Sequence, residues 1–128
     1  MSDLNGYLSQ LQSKDASTRI ATIKALKQFE DERVLDALKT IIEQDTSVPV
    51  IRTAILALGQ LGSCDDLPLL LSLTKHESVW IRKASVQVIG QLRCHDAVSH
   101  LVNLLGDETL DALAREALVA LKVDPDFF

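Results

Sequence analysis

The sequence lacks three features: a membrane-spanning run, a secretory leader and an excess of positive charge. No stretch approaches the roughly 18 consecutive apolar residues that a membrane span needs. The opening Met-Ser-Asp-Leu-Asn-Gly lacks the basic-then-apolar order of a secretory signal. Lys and Arg number 13 against 18 Asp and Glu, and this net charge of −5 disfavours binding to a phosphate backbone. We therefore expect a cytoplasmic protein that binds neither membranes nor nucleic acids.

Cysteine is also scarce. Two cysteines, Cys64 and Cys94, are too few for a disulfide framework, and a chain of 128 residues does not need one. The sequence therefore predicts that both thiols are reduced. With 47% apolar residues the chain can bury one core, so a single domain over residues 1–128 is expected.

A repeated helix-to-helix junction is the main pattern that is present. Residues 25–38, 57–70 and 88–101 align without gaps, and a truncated fourth copy ends at Leu121. The landmark apolar positions, separated by 32, 31 and 32 residues, are Leu26, Leu58, Ile89 and Leu121. A period of this length is typical of helical solenoids.

Apolar residues within each repeat are spaced by three and four, which indicates amphipathic helices. The pattern predicts first helices near 17–29, 47–61, 78–92 and 109–121, second helices near 31–44, 65–75 and 95–105, and an additional helix near 2–13. The predicted N-caps of first helices are Ser17, Ser47 and Ser78, and the residues that precede or open second helices are Asp31, Asp65 and Asp96. Pro49 and Pro68 fall in predicted first turns, where a missing N–H costs nothing.

Residues 54–71 carry a more specific pattern, Ala-Ile-Leu-Ala-Leu-Gly-Gln-Leu-Gly-Ser-Cys-Asp-Asp-Leu-Pro-Leu-Leu-Leu. It resembles the short HEAT repeats of phycobilisome lyase-like proteins, and the resemblance extends over about residues 15–121. This resemblance implies an all-α, right-handed α-α superhelix of about eight helices. The matching division is a capping helix at 1–14, repeats at 15–45, 46–76 and 77–107, and a half repeat with a tail at 108–128.

Four arginines recur six or seven residues before the landmark positions: Arg19, Arg52, Arg82 and Arg115. Such a row can grip acidic peptides or phosphate, or it can pair with loop carboxylates such as Asp15, Asp45 or Asp107. Because the spacing follows the repeat itself, we favour the structural pairing.

Three histidines, His76, His95 and His100, raise the question of a metal site. A closed site needs about four converging ligands, and at most three, the two cysteines and His95, lie in neighbouring loops. Some HEAT-like enzymes hold a di-iron centre through His-Glu pairs on their first helices, but His76-Glu77 lies in the turn ahead of the helix. Nucleophile elbows and phosphate-binding loops are missing too. We expect no metal, no cofactor and no catalytic residue.

The resemblance implies that second helices line the concave side of the superhelix, so their residues outside the core form the candidate partner-binding surface. These residues, called here the second-helix strip, are Asp36, Lys39, Thr40, Glu43, Leu69, Ser72, Lys75, Ser99, His100 and Asn103. Leu69 is the expected exposed apolar anchor. A mixed, modestly polar surface suits a protein segment better than a small molecule. The expected function is therefore a non-catalytic protein-protein interaction adaptor or scaffold.

Two alternatives stay open. The resemblance permits a chromophore-handling or lyase-associated role, and the leucine-rich last helix can instead dock on another copy or on a subunit of an obligate assembly. Trp80 is expected to pack against the neighbouring repeat. Phe127 and Phe128 either fold back over the last helix or leave it free to dock.

Overall fold

The structure, a computed structural model, describes residues 3–127. Its helices are α1 Asp3–Gln10, α2 Ala16–Leu26, α3 Glu32–Gln44, α4 Val48–Leu61, α5 Leu67–Leu73, α6 Val79–Leu92, α7 Val98–Asn103 and α8 Asp111–Ala120. Short 3₁₀ turns occur at Cys64–Asp66, His95–Ala97 and Pro125–Phe127. Since residues 3–127 contain eight α-helices and no strand, the predicted all-α class and helix number are confirmed. None of these described helices is long and apolar enough to cross a bilayer.

The predicted N-cap of α2 is wrong by two residues. Asp15 is the N-cap, and its carboxylate accepts from the backbone N–H of Ser17, which lies inside the helix. The Asp15 carboxylate reaches the N–H two residues ahead and forms a compact turn. The helix therefore begins at Ala16, before the predicted cap Ser17. Asp31 caps α3 as predicted and accepts from the backbone N–H of Arg33 at 2.8 Å.

The same turn recurs before every first helix. In each case a side chain accepts a hydrogen bond from the backbone N–H two residues later, and the pairs are Asp15–Ser17, Asp45–Ser47, His76–Ser78 and Asp107–Thr109. The repeat therefore preserves an acceptor at this position, and in one copy a histidine replaces the aspartate.

Two of the second helices are shorter than the pattern predicts. A 3₁₀ turn precedes α5 and another precedes α7, so these helices begin at Leu67 and Val98 instead of at 65 and 95. The turn before α5 is fixed by a capping box, in which Ser63 Oγ accepts from Asp65 N–H while Asp66 Oδ2 accepts from Ser63 N–H. Pro68 lies in the first turn of α5, as expected.

The chain divides into two compact units, one ending at Leu61 and one beginning at Gly62. In the first unit, α1 packs on α2, and both α2 and α3 pack on α4. This unit contains the fully buried side chains of Ile23, Leu26, Val34, Leu38, Ile55 and Leu58. The single domain and the right-handed superhelix stay predictions.

In the second unit, α5 packs on α6, and both α6 and α7 pack on α8. The fully buried side chains here include Leu70, Ile81, Ile89, Leu101, Leu110 and Leu118. Helices α6 and α8 approach closely at Gly90, where an added Cβ would lie 3.0 Å from the Cβ of Ala117. A side chain at Gly90 would therefore push these helices apart.

The landmark positions behave as the repeat predicts. Leu26, Leu58 and Ile89 are fully buried, and Leu121 is buried to all but 4%. Spacing by three and four therefore identified the buried side of each first helix correctly.

Candidate functional site

The first-unit part of the second-helix strip lies on α3. Asp36, Thr40 and Glu43 are exposed, whereas Lys39 is half-buried. The Thr40 hydroxyl donates to the carbonyl oxygen of Asp36 at 3.0 Å, so part of its hydrogen-bonding capacity is used within the helix. The opposite side of α3 holds buried Val34, Leu38, Ile41 and Ile42. This helix therefore offers a partner a mainly acidic surface.

The second-unit part lies on α5, α7 and the turn after α5. The exposed members are Ser72, Lys75, Ser99, His100 and Asn103. Leu69 is half-buried, so the expected apolar anchor is only partly accessible. The Ser72 hydroxyl donates to the Leu69 carbonyl oxygen at 2.6 Å. All three members of the strip on α7 are therefore exposed.

An open groove of about 610 Å³ runs along α7 and the 3₁₀ turn before it. Its lining residues are His95, Asp96, Val98, Ser99, Val102 and Asn103. Only Ser99 and Asn103 belong to the predicted strip. His95 lies one and two helical turns before them, at a spacing of four residues, and this spacing is the sequence signal that could have identified it.

The prediction that both cysteines are reduced is wrong. Cys64 and Cys94 form a disulfide across a Cα–Cα distance of 5.7 Å, and no free cysteine remains among the described residues. Cys64 opens the 3₁₀ turn before α5, and Cys94 directly precedes the turn before α7. The two lie 30 residues apart, close to one repeat length, so stacking of successive repeats brings their loops side by side.

The disulfide also changes the chemistry that this loop pair can offer. Cysteine binds a metal ion as its thiolate, and sulfur atoms bonded to each other are not thiolates. Within residues 3–127, no group of three or more His, Cys, Asp or Glu side chains is arranged to hold a metal ion.

Arg19 supports the structural interpretation of the arginine row. Its Nε and Nη2 contact the two carboxylate oxygens of Asp45 at 2.8 and 3.2 Å, and its Nη1 donates to the Ser13 carbonyl oxygen at 2.8 Å. Both charged side chains are largely buried, with 15% and 9% exposure. This bidentate pair is oriented into the protein and not toward a ligand.

The other arginines follow different patterns. Arg82 Nη1 donates to the carbonyl oxygens of His76 and Glu77 at 2.9 and 3.1 Å. Arg115 pairs with Asp111 and Asp126, both at 2.9 Å, while Arg52 is exposed. Within residues 3–127, a bidentate hydrogen-bonded pair with the carboxylate of the next junction is found for Arg19, whereas Arg82 acts on Asp107 through its charge, which helps to lower the pKa of that carboxyl.

Hydrogen bonds lower the pKa of several carboxyls at helix starts. The Thr18 hydroxyl, followed by the Ser17 backbone N–H, lowers the pKa of Asp15, and the Thr109 backbone N–H is the main cause of the lowered pKa of Asp107. Hydrogen bonds that stabilise the carboxylate cause these shifts, so Asp15 acts as the N-cap of α2 and Asp107 as an acceptor in the turn before α8.

The expected packing of Trp80 is wrong. Its side chain is 60% exposed on the first turn of α6, with Lys83 Nζ 5.8 Å from its ring centre. The buried stripe of α6 begins at the next residue, Ile81, and so Trp80 lies about a quarter-turn away from it.

Phe127 is 82% exposed, so of the two alternatives the fold-back over α8 does not apply to its side chain. The polar pair of Arg115 and Asp126, at 2.9 Å, holds the tail against α8 and leaves the Phe127 ring outside. Phe128 lies outside the described residues. Val119 on α8 is also 62% exposed.

Comparisons with known proteins agree with this architecture. The family described as HEAT repeats matches residues 4–77 and 40–122. No curated protein matches the chain. Among solved structures, it is similar to a chain in the complex of CpcE and CpcF of phycocyanin lyase from Nostoc sp. PCC7120, with 24% identity and a TM-score of 0.77 over 90% of this chain. It is also similar to an engineered protein, with 18% identity and a TM-score of 0.64 over 99% of this chain.

This chain spans 52% of the lyase chain and 65% of the engineered one, and at these identities the likeness concerns the fold. The family match, in contrast, extends over most of the sequence. The chain therefore belongs to the HEAT-repeat family.

Proposed function

We propose that this chain is a non-catalytic protein-interaction adaptor that holds a segment of a partner protein on the exposed side of α5 and α7. The groove along α7 is the observation that carries the proposal. It combines the apolar side chains of Val98 and Val102 with the polar groups of His95, Ser99 and Asn103. Such a mixture matches a peptide, which presents backbone amides together with apolar side chains.

The family membership supports this proposal, because HEAT repeats stack into surfaces that proteins use for binding. The exposed acidic side of α3, in the first unit, is a separate candidate surface. No cofactor is needed, since a rigid helical surface lowers the ordering cost of binding. The proposed location is the cytoplasm. Imaging of a tagged chain in the source cells tests this.

The test is affinity capture with matched variants. Ser99→Glu/Asn103→Glu places two charges in the α7 groove, and Gln87→Glu/Gln91→Glu adds the same charges at exposed positions of α6. A captured partner is then purified and its Kd measured for each variant. We expect the groove variant to weaken binding by roughly tenfold or more and the α6 variant to bind like wild type. Equal binding by all three chains would refute the assignment of the groove.

The second candidate is a chromophore-handling role, which the structural similarity to a chain of the phycocyanin lyase complex favours. Absorbance spectra of a bilin with and without the protein test it. Because the two sulfurs are bonded to each other, the measurement is made with oxidised and with reduced protein. A protein-dependent spectral change that the groove variant retains would favour this candidate over the adaptor.

The third candidate is a subunit of an obligate assembly, joined through α8. The exposed apolar side chains of Val119 and Phe127 support it. Sedimentation of wild type and of Val119→Asp tests it. A wild-type dimer that the substitution dissociates would support the assembly, whereas a monomeric wild type would exclude self-association at the concentrations used.

A further inference from the structure

The disulfide connects the starts of the two helices that carry the second-unit strip. Cys64 lies three residues before α5, and Cys94 lies four before α7. Helix α5 packs on α6, whereas α7 packs on α8, so each has a different supporting helix. The bond therefore fixes the start of α5 relative to the start of α7.

We propose that the Cys64–Cys94 disulfide is a thiol-exchange modification site, opened by a dithiol reductant that attacks Cys64, and that its redox state controls the order of the α7 groove. This inference rests on the proposed function insofar as the groove binds a partner. In a reducing compartment such as the proposed cytoplasm, dithiol reductants are abundant and the bond would be exposed to them continuously.

The two cysteine residues differ in exposure. Cys64 is exposed, whereas Cys94 is only 4% exposed. A thiolate must reach the sulfur that it attacks in line with the S–S bond, and so the attack occurs at Cys64.

The exchange then follows in two steps. A thiolate of the reductant forms a bond to Cys64 Sγ, the Sγ–Sγ bond breaks, and Cys94 leaves with the electron pair and takes up a proton. The second thiolate of the reductant then attacks the reductant sulfur that is bonded to Cys64. The mixed disulfide bond breaks, and Cys64 leaves as a thiolate and takes up a proton. The reductant becomes a disulfide, and the two cysteines gain two electrons and two protons.

Charge around the cysteines selects among reductants. Asp65, exposed, directly follows Cys64, whereas Arg93 and His95, both exposed, flank Cys94. A negatively charged thiol approaching Cys64 is repelled by the carboxylate, so we assign the site to dithiols whose surroundings are neutral or positive.

The two ends of the disulfide differ in how they are held without it. The Ser63–Asp66 capping box fixes the loop of Cys64 by its own hydrogen bonds. No side-chain cap bond fixes the turn after Cys94, and α7 has only six residues. Opening of the bond should therefore loosen the start of α7 and leave the start of α5 ordered.

The first experiment measures which sulfur is attacked. The oxidised full chain is incubated with cysteamine or with 2-mercaptoethanesulfonate, the reaction is quenched with N-ethylmaleimide, and peptides are mapped by mass spectrometry. We expect the thiol adduct on Cys64 and maleimide on Cys94. An adduct on Cys94, or a reaction that occurs only at the rate of global unfolding, would overturn the proposal.

The same reaction tests charge selection. The quantity compared is the rate constant per thiolate of cysteamine divided by that of the anionic thiol. At low salt this ratio should be roughly threefold to tenfold larger on the folded chain than on the urea-unfolded chain. Asp65→Asn should lower this ratio. An unchanged ratio in this variant would refute the part assigned to Asp65.

The second experiment is hydrogen exchange of the oxidised and reduced chain. Amides at residues 97–99 should lose protection by about tenfold on reduction, while those of α2 and α3 serve as an internal control and keep theirs. The variant Cys64→Ser/Cys94→Ala should show the same amide protection as reduced wild type. If the variant does not fold, wild type that has been reduced and reoxidised is used instead, and its protection should return to that of the oxidised chain. Equal protection in both redox states would overturn the proposal. Neither experiment needs a partner, so these outcomes are independent of the capture experiment.

Discussion

Loss of the disulfide should lower the free energy of unfolding of the second unit. The size of this loss depends on the number of residues between Cys64 and Cys94. Closure of a loop of 30 residues removes about 12 cal/mol/K of entropy from the unfolded chain, which is about 3.6 kcal/mol at 25 °C. We test this with Cys64→Ser/Cys94→Ala. Serine is placed at the exposed position and alanine at the buried one, since a hydroxyl buried without a partner would add its own cost.

Urea unfolding followed by circular dichroism at 25 °C measures the difference. We expect the variant to be less stable than oxidised wild type by roughly 2–4 kcal/mol, with a larger m-value because its unfolded chain is no longer cross-linked. Reduced wild type under the same conditions is the control and should coincide with the variant. If both reduced wild type and variant lie within about 1 kcal/mol of the oxidised chain, the loop-closure reasoning is refuted.

Three further predictions concern packing, a buried ion pair and pH. Gly90→Ala should destabilise the protein by about 1 kcal/mol, because its Cβ would lie 3.0 Å from a Cβ of α8. Gly6→Ala, which has open space around it in α1, should stabilise the protein by up to about 1 kcal/mol. Urea midpoints of the two variants that move in the same direction would contradict this. Arg19→Ala should cost roughly 1–3 kcal/mol by leaving the largely buried Asp45 carboxylate without its partner, and Arg19→Lys should recover only part of this in thermal unfolding, since lysine cannot make the bidentate contact. The lowered pKa of Asp107 means that its contribution to stability is fully present above its ordinary value of 3.8 and is lost as the pH falls through the lower folded value. Asp107→Asn should therefore flatten the acid limb of a stability–pH profile, and an unchanged limb would count against the stabilisation of the turn before α8 by this carboxylate.

The helices were predictable because their evidence is repeated in the sequence. Spacing by three and four recurs in every copy, so one mistaken residue changes little, and the buried positions of Leu26, Leu58 and Ile89 followed directly. Helix starts were less predictable. Serine and aspartate are both good caps, and at residues 15–17 both are present. Only the turn geometry shows that Asp15 accepts and Ser17 donates.

The disulfide was not predicted because the number of cysteines and the expected compartment were used, and the positions of the two cysteines within the repeat were not. Aligned copies place Cys64 against His95, one residue from Cys94. Successive copies pack side by side, so an offset of one residue still leaves the two Cα atoms 5.7 Å apart. The repeat alignment thus contained the pairing, and a count of cysteines alone could not reveal it.

The exposure of Trp80 was also present in the helical pattern. Buried Ile81 and Val88 mark the inner side of α6, and positions 80 and 87 each lie one residue before them on the outer side. Prediction from residue type favoured burial of a tryptophan, whereas prediction from helical phase places it outside. For a single aromatic residue in a regular repeat, phase is the better guide.

Positions that recur with the repeat are explained by the repeat itself, and so the residues that occur once are the better candidates for function. The loop acceptors recur as aspartate at three junctions and need no further role. Five residues that depart from the repeat lie in the second unit, namely Cys64, Trp80, Cys94, His95 and His100. Because packing alone does not require these side chains, we expect them to carry the specific chemistry of the second unit.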